Sequence, residues 1–116
     1  MATHNNTGKY GEALARRYFM DNGYEILHIN WRHRHWEVDL IISKNNVLHF
    51  VEVKTKNSNE FGYPEESVNI KKIKNLLSAA EEYLMIYPQW QRIQFDILSV
   101  TLKPNLTFYF IEDVYL

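Results

Sequence analysis

Residues 36–43 and 47–56 form two apolar, β-branched runs separated only by Lys44-Asn45-Asn46. So short a connection joins neighbouring antiparallel strands, and Asn tolerates the positive φ that a tight hairpin turn demands. The hairpin limits what can follow. After it come a polar loop over Asn57–Pro64, a helix over Ile70–Ile86 and a strand over Arg92–Leu102 that is apolar on both faces. A strand, a helix and a further strand predict a right-handed parallel crossover. The expected class is α/β: a mixed central sheet with helices packed on it.

The remaining elements fit around that unit. Gly8–Asn22 reads as a helix with Thr7 as N-cap, an apolar stripe of Leu14, Tyr18 and Phe19, and Asn22-Gly23 as its stop. Tyr24–Arg32 reads as a strand with Tyr24, Ile26 and His28 on one face and Leu27, Ile29 and Trp31 on the other. In the second helix, Asn69 is the expected cap and Val68 with Ile73 a hydrophobic staple. Its expected buried face is Ile73, Leu76, Leu77, Ala80 and Leu84, and Pro88 ends it. A turn at Lys103-Pro104-Asn105 leads to a last strand, Leu106–Ile111. The order is α-β-β-β-α-β-β, and 116 residues predict a single domain over 1–116.

With no cysteine there is no disulfide, thiolate metal site or cysteine nucleophile. Neither a secretory signal nor a membrane-spanning run is evident, so the expectation is a cytoplasmic protein with no membrane partner. The net charge of −1 argues mildly against nucleic-acid binding. The charge is unevenly spread, however: residues 1–74 hold 11 Lys and Arg against 9 Asp and Glu, and residues 75–116 hold 2 against 5.

Four charged residues interrupt the hairpin strands: Glu37, Asp39, Glu52 and Lys54. Residues i and i+2 of a strand share a face, roughly 6–7 Å apart. Glu37 therefore pairs with Asp39, and Glu52 with Lys54. Asp39 and Glu52 flank the turn at similar distances, which predicts that they face each other near the open end of the hairpin. Converging carboxylates repel unless a hard cation such as Mg²⁺ joins them. An adjacent lysine can orient water or stabilise charge on a phosphate. The plain alternative is a solvated strand face, since Glu-x-Lys is a common pattern.

An acid followed by Glu52-Val53-Lys54 on the next strand resembles the motif of the PD-(D/E)XK nucleases. The chain is similar, in particular, to the YraN-like family of small bacterial proteins. The matching stretches are Gly8, Gly11-Glu12, Asn30-Trp31-Arg32, Glu37-Val38-Asp39-Leu40-Ile41, Phe50-Val51-Glu52-Val53-Lys54-Thr55, Phe61-Gly62 with Pro64, Val68 with Lys72, and Phe95-Asp96. They fall in order, and the resemblance covers nearly the whole chain from Gly8 to Ile111. The resemblance implies a restriction-endonuclease-like αβββαβ core with an extra C-terminal strand. It also implies Mg²⁺- or Mn²⁺-dependent hydrolysis of DNA phosphodiesters, with branched or structured DNA as a candidate substrate. On that reading Asp39 and Glu52 hold the metal, the Val53 carbonyl adds a ligand, and Lys54 serves the attacking water. Glu12 and Glu37 take secondary catalytic places. The family usually has Gly before its Glu-x-Asp, where this chain has Trp36.

Arg32, Arg34, Lys56, Lys71 and Lys72 are candidate phosphate contacts, with Lys74 beside them; each is equally readable as a solvated charge. His33 and His35 at i and i+2 are too weak a pattern for a zinc site. Asp96 is as readily structural as functional. The rival to an enzyme is a nuclease fold that binds nucleic acid or protein without cutting; a weaker one is a structural partner protein. Phe108, Tyr109 and Phe110 cannot share one face of one strand, which suggests an unprotected edge and a homodimer.

Overall fold

A computed structural model of the protein describes residues 3–58 and 70–114, with side chains over 7–58 and 74–114. The elements are α1 (Thr3–Asp21), β1 (Glu25–His33), β2 (Trp36–Lys44), β3 (Val47–Ser58), α2 (Ile70–Ile86), β4 (Ile93–Lys103) and β5 (Thr107–Ile111). The strands form one five-stranded sheet in the order β1-β2-β3-β4-β5. All neighbours are antiparallel except β3 and β4, which run parallel with α2 between them in the chain. This is the expected mixed sheet of a restriction-endonuclease-like core, extended by the C-terminal strand β5. The 57–64 loop beyond Ser58, the Phe61-Gly62 and Pro64 stretch, the Asn69 cap and the Val68–Ile73 staple lie outside the described residues.

Alternation along the strands splits the apolar side chains into two cores. Val38, Ile41, Leu48 and Phe50 pack with Leu76, Ala79, Ala80 and Tyr83 of α2. Leu40, Ile42, Val51, Leu98 and Val100 pack with Ala15 and Phe19 of α1. The hairpin turn is the expected one: Asn45 and Asn46 have φ of 53° and 64°, between the paired Lys44 and Val47. Gly23, at φ 85°, ends α1, and the backbone N–H of Tyr24 returns to the Phe19 carbonyl.

Several expectations are corrected. Helix α1 starts at Thr3, so Thr7 lies inside it rather than capping it. Its fully buried side chains are Ala15 and Phe19, with Leu14 and Tyr18 at the margin. On α2, Ala79 and Tyr83 are buried while Leu77 is exposed; the large Tyr83 ring, packed edge-on against Phe50 and Trp31, sets which face turns inward. Strand β1 does not alternate evenly. A register shift between Ile26 and His28 carries His28 across to Tyr83 and Tyr87 on the α2 side, and Ile29 is left exposed. Arg34 sits at φ 59° in the two-residue turn between His33 and Trp36.

Helix α1 sits very close to the sheet. A Cβ added at Gly11 would lie 1.8 Å from Thr55 Oγ1 and 2.7 Å from Thr55 Cβ. The second contact survives any rotation of the threonine, so only glycine fits. At Gly8, one turn earlier, an added Cβ meets nothing within 4 Å. Gly11→Ala should therefore cost about 1–3 kcal/mol by overpacking. Gly8→Ala should be neutral or stabilise by up to about 1 kcal/mol through helix propensity. Urea denaturation of the two variants checks this contrast, and equal effects would contradict the close seating of α1 on β3.

Candidate metal centre

The site begins where a ladder ends. The β2–β3 pairing runs from Lys44↔Val47 to Leu40↔Val51 and stops. The next register positions are Asp39 and Glu52, so the two acids do stand opposite each other at the open end of the hairpin. Among the described residues, β3 continues to Ser58 paired only with β4. Its β2-facing edge is thus open from Glu52 onward, and the Asp39 carboxylate fills the first gap by accepting the Val53 backbone N–H at 2.8 Å.

Asp39 can do this because β2 breaks its alternation there. Val38 packs in the α2-side core and Leu40 in the α1-side core, although residues two apart in a regular strand share a face. Asn30 of β1, between the partners of Val38 and Leu40, has φ 50° and rotates the neighbouring strand at the same level. The turn in both strands aims Asp39 along the sheet toward β3. Because the N–H and C=O of one strand residue project to the same edge, the Val53 carbonyl also faces this slot.

Two clefts meet at Asp39. On one side it is joined by Glu37 and Glu52, with His35 at the rim and Asn75 and Leu76 of α2 opposite. On the other it is joined by Glu12 of α1, Val53, Lys54 and Thr55. Lys54 Nζ lies 3.3 Å from Glu52 Oε1, and both side chains are about one-fifth exposed. Glu12, placed by the Gly11–Thr55 contact, therefore belongs to the same cluster. Burial raises the Asp39 carboxyl to about 6, against a pull down from the Val53 N–H; the carboxylates of Glu52, Glu12 and Glu37 push it further up.

The donors suit a hard cation that keeps much of its water. Among the described residues no three Asp, Glu or His side chains already converge at ligand distance. Mg²⁺ asks for less, being commonly held by one or two carboxylates with waters completing the octahedron. Asp39, Glu52 and the Val53 carbonyl meet that requirement with oxygen donors only.

The basic candidates fare unevenly. Arg32 is tied to Glu37 at 3.2 Å on the surface, while Arg34 is exposed at the hairpin tip. Lys56 lies on β3, half-buried, beyond Lys54. The side chains of Lys71 and Lys72, at the start of α2, lie outside the described residues. Asp96 stands apart from the cluster. It is fully buried and accepts from His49 Nδ1 at 2.6 Å, from Gln94 and from the Asp113 backbone N–H, which makes it structural. Asn75 and Thr55 were not among the candidate site residues read from the sequence. Thr55 closes the matching stretch Phe50–Thr55 but was given no role, and Asn75 carries no pattern of its own.

The model of the uncharacterised protein family UPF0102 matches residues 11–100. The chain is 43% identical to a UPF0102 protein of Bacteroides thetaiotaomicron, over 86% of this chain and 83% of that one. It is 42% identical to one of Flavobacterium psychrophilum, over 86% and 84%. It is 43% identical to one of Syntrophomonas wolfei, over 83% and 84%. Among the described residues no helix is long and apolar enough to cross a membrane.

The raised Asp39 carboxyl has a consequence for stability. Its folded value of about 6 exceeds the ordinary 3.8, so its contribution is fully present below about pH 4 and is lost as pH rises through about 6. At roughly 1.4 kcal/mol per unit, the loss is at most about 3 kcal/mol. Asp39→Asn keeps an oxygen for the Val53 N–H and removes the titration. In a chelator, the variant should gain stability over the parent between pH 4 and pH 7. Urea melts across that range test it, and parallel profiles for the two proteins would contradict the burial of this carboxylate.

Proposed function

The chain belongs to the uncharacterised protein family UPF0102, and from that footing we propose that it is a divalent-cation-dependent nuclease hydrolysing DNA phosphodiester bonds. One observation carries the reading: a desolvated carboxylate, Asp39, is held among three others at an opened strand edge, in register with Glu52 and beside Lys54. Structural acids are seldom kept at such a cost.

In this reading Asp39, Glu52 and the Val53 carbonyl hold Mg²⁺ or Mn²⁺. Such a cation, when bound there, would neutralise charge on the scissile phosphate and make water a better nucleophile. Lys54, 3.3 Å from Glu52, would balance the charge that develops on the phosphate oxygens. Glu12 lines the same cleft as Asp39 and Lys54 and would orient a water molecule there. Glu37 holds Arg32 at the rim. Arg34 in the β1–β2 turn, Lys56 on β3 and Lys71 and Lys72 at the start of α2 are the proposed phosphate contacts. A bound dication also offsets the formal net charge of −1 that would otherwise repel DNA.

A second reading, a nuclease fold that binds without cutting, draws on the Lys54–Glu52 ion pair, which satisfies both groups without a metal. For assembly we propose a homodimer through β5, an edge strand with Tyr109 exposed although Phe108 and Phe110 pack inward. Sedimentation at micromolar concentration that finds only monomer removes this proposal.

Two variants separate the readings. Asp39→Asn should weaken Mn²⁺ binding in calorimetry by tenfold or more, since a full ligand charge is lost. Lys54→Ala should bind Mn²⁺ as well as the parent or better, yet cut DNA at least 100-fold more slowly. Linear, flapped and four-way DNA are the substrates to assay. Variants that both cut like the parent would refute the nuclease. A parent that binds DNA in a salt-dependent manner and cuts none would favour the binding module.

A further inference from the structure

We infer that the tip of the β1–β2 hairpin is a stacking platform for an unpaired nucleobase, so that the DNA taken by this cleft is single-stranded or frayed beside the scissile bond. The inference rests on the nuclease reading of the adjacent cleft and names its substrate class.

Three rings stand nearly parallel in a column. Trp31 and His33 have centroids 6.1 Å apart at 11°, and His33 and Trp36 are 6.2 Å apart at 17°. The column is fixed at its inner end, where Trp31 meets the edge of the buried Tyr83 ring. It is fixed in the middle, where His33 Nε2 lies 3.2 Å from Glu82 Oε2 of α2. Its outer end is Trp36, half-buried, with the exposed His35 ring tilted beside it at 5.0 Å. Tight hairpin tips ordinarily carry small polar residues. Here the tip carries an indole and an imidazole already held in stacking geometry, so a planar ligand finds them pre-arranged.

The ligand's chemistry follows from position and charge. His35 lines the same cleft as Asp39 and Glu52. Trp36 is three residues from Asp39, about 10 Å along the strand at roughly 3.3 Å per residue, so the ring reaches a nucleotide next to the one being cut. Arg34, exposed in the turn, puts positive charge beside the rings, as a base with its phosphate requires. A base inside a duplex has both faces covered by its neighbours. Away from a duplex end, only an unpaired base can lie on an aromatic side chain, and such a contact is worth about tenfold or more in affinity.

The test uses a labelled oligothymidine and a blunt duplex of the same length, with fluorescence anisotropy in a chelator so that binding is read without cleavage. The parent should bind the single strand more tightly than the duplex. Trp36→Ala should weaken single-strand binding about tenfold and leave duplex binding unchanged, while Trp36→Phe retains most of the affinity. Urea melts of the same variants establish that they are folded. Equal losses on both DNAs, or no loss on either, would overturn the platform. So would rings protected by protein concentration rather than by oligonucleotide, which would mean that a second copy covers them. Cleavage by the parent in Mn²⁺ is scored separately. Strand-selective binding without cleavage defeats the nuclease and leaves the platform standing; cleavage with unselective binding does the reverse.

Discussion

The hydrogen bond from the Val53 N–H to the Asp39 carboxylate is the constraint on which the rest of the site depends. It replaces the next rung of the β2–β3 ladder with a side chain. Without it, opening the sheet at this point would strand a backbone donor in a poorly hydrated place, at a cost of about 1–3 kcal/mol. With it, the strands separate, the edge of β3 beyond Val51 is uncovered, and a carboxylate is drawn out of water toward Glu52, Glu12 and Glu37. Burial then works against ionisation more strongly than the single backbone donor supports it, which is why Asp39 ends up raised.

Two packing features hold the slot open from either side. The missing side chain at Gly11 lets α1 settle against Thr55, which brings Glu12 to the α1-side cleft. On the other face Tyr83 anchors α2 between Phe50 and Trp31, and the same helix supplies Asn75 and Leu76 to the α2-side cleft. The buried His49–Asp96 pair ties β3 to β4 away from the cluster, and Asp96 also takes the Asp113 N–H. That end of the sheet is closed and satisfied, whereas the end with Asp39 is open and electrostatically strained. An uneven distribution of this kind is expected where function is retained against stability.

Much of the fold was legible because it rests on local rules. Asn45-Asn46 between two apolar runs forces a hairpin, Asn22-Gly23 ends a helix, and strand parity puts Glu52 beside Lys54. The register of Asp39 with Glu52 followed from counting residues back from the turn. What escaped the sequence depends on long-range packing. The rotation of β2 at Asp39 needs the irregular Asn30 on the neighbouring strand. The inward turn of Tyr83 and Ala79, in place of Leu77, depends on the rings that α2 meets on the sheet. Thr7 resembles a cap, yet the helix runs on to Thr3 because nothing in residues 3–6 stops it. Trp36 was visible as a departure from the family pattern, but its place in a column of rings depends on a two-residue turn that puts it opposite His33.

We propose that a divalent cation sits in the slot between Asp39 and Glu52. Paramagnetic broadening by Mn²⁺, followed in amide proton–nitrogen spectra at substoichiometric metal, locates such a cation directly. The account predicts that the resonances of Val53, Leu40 and Glu52 broaden first, with those of Gly11 and Glu12 close behind and those of Thr107–Ile111 unaffected. Broadening that is uniform over the acidic surface, or centred on Glu112 and Asp113, would contradict it.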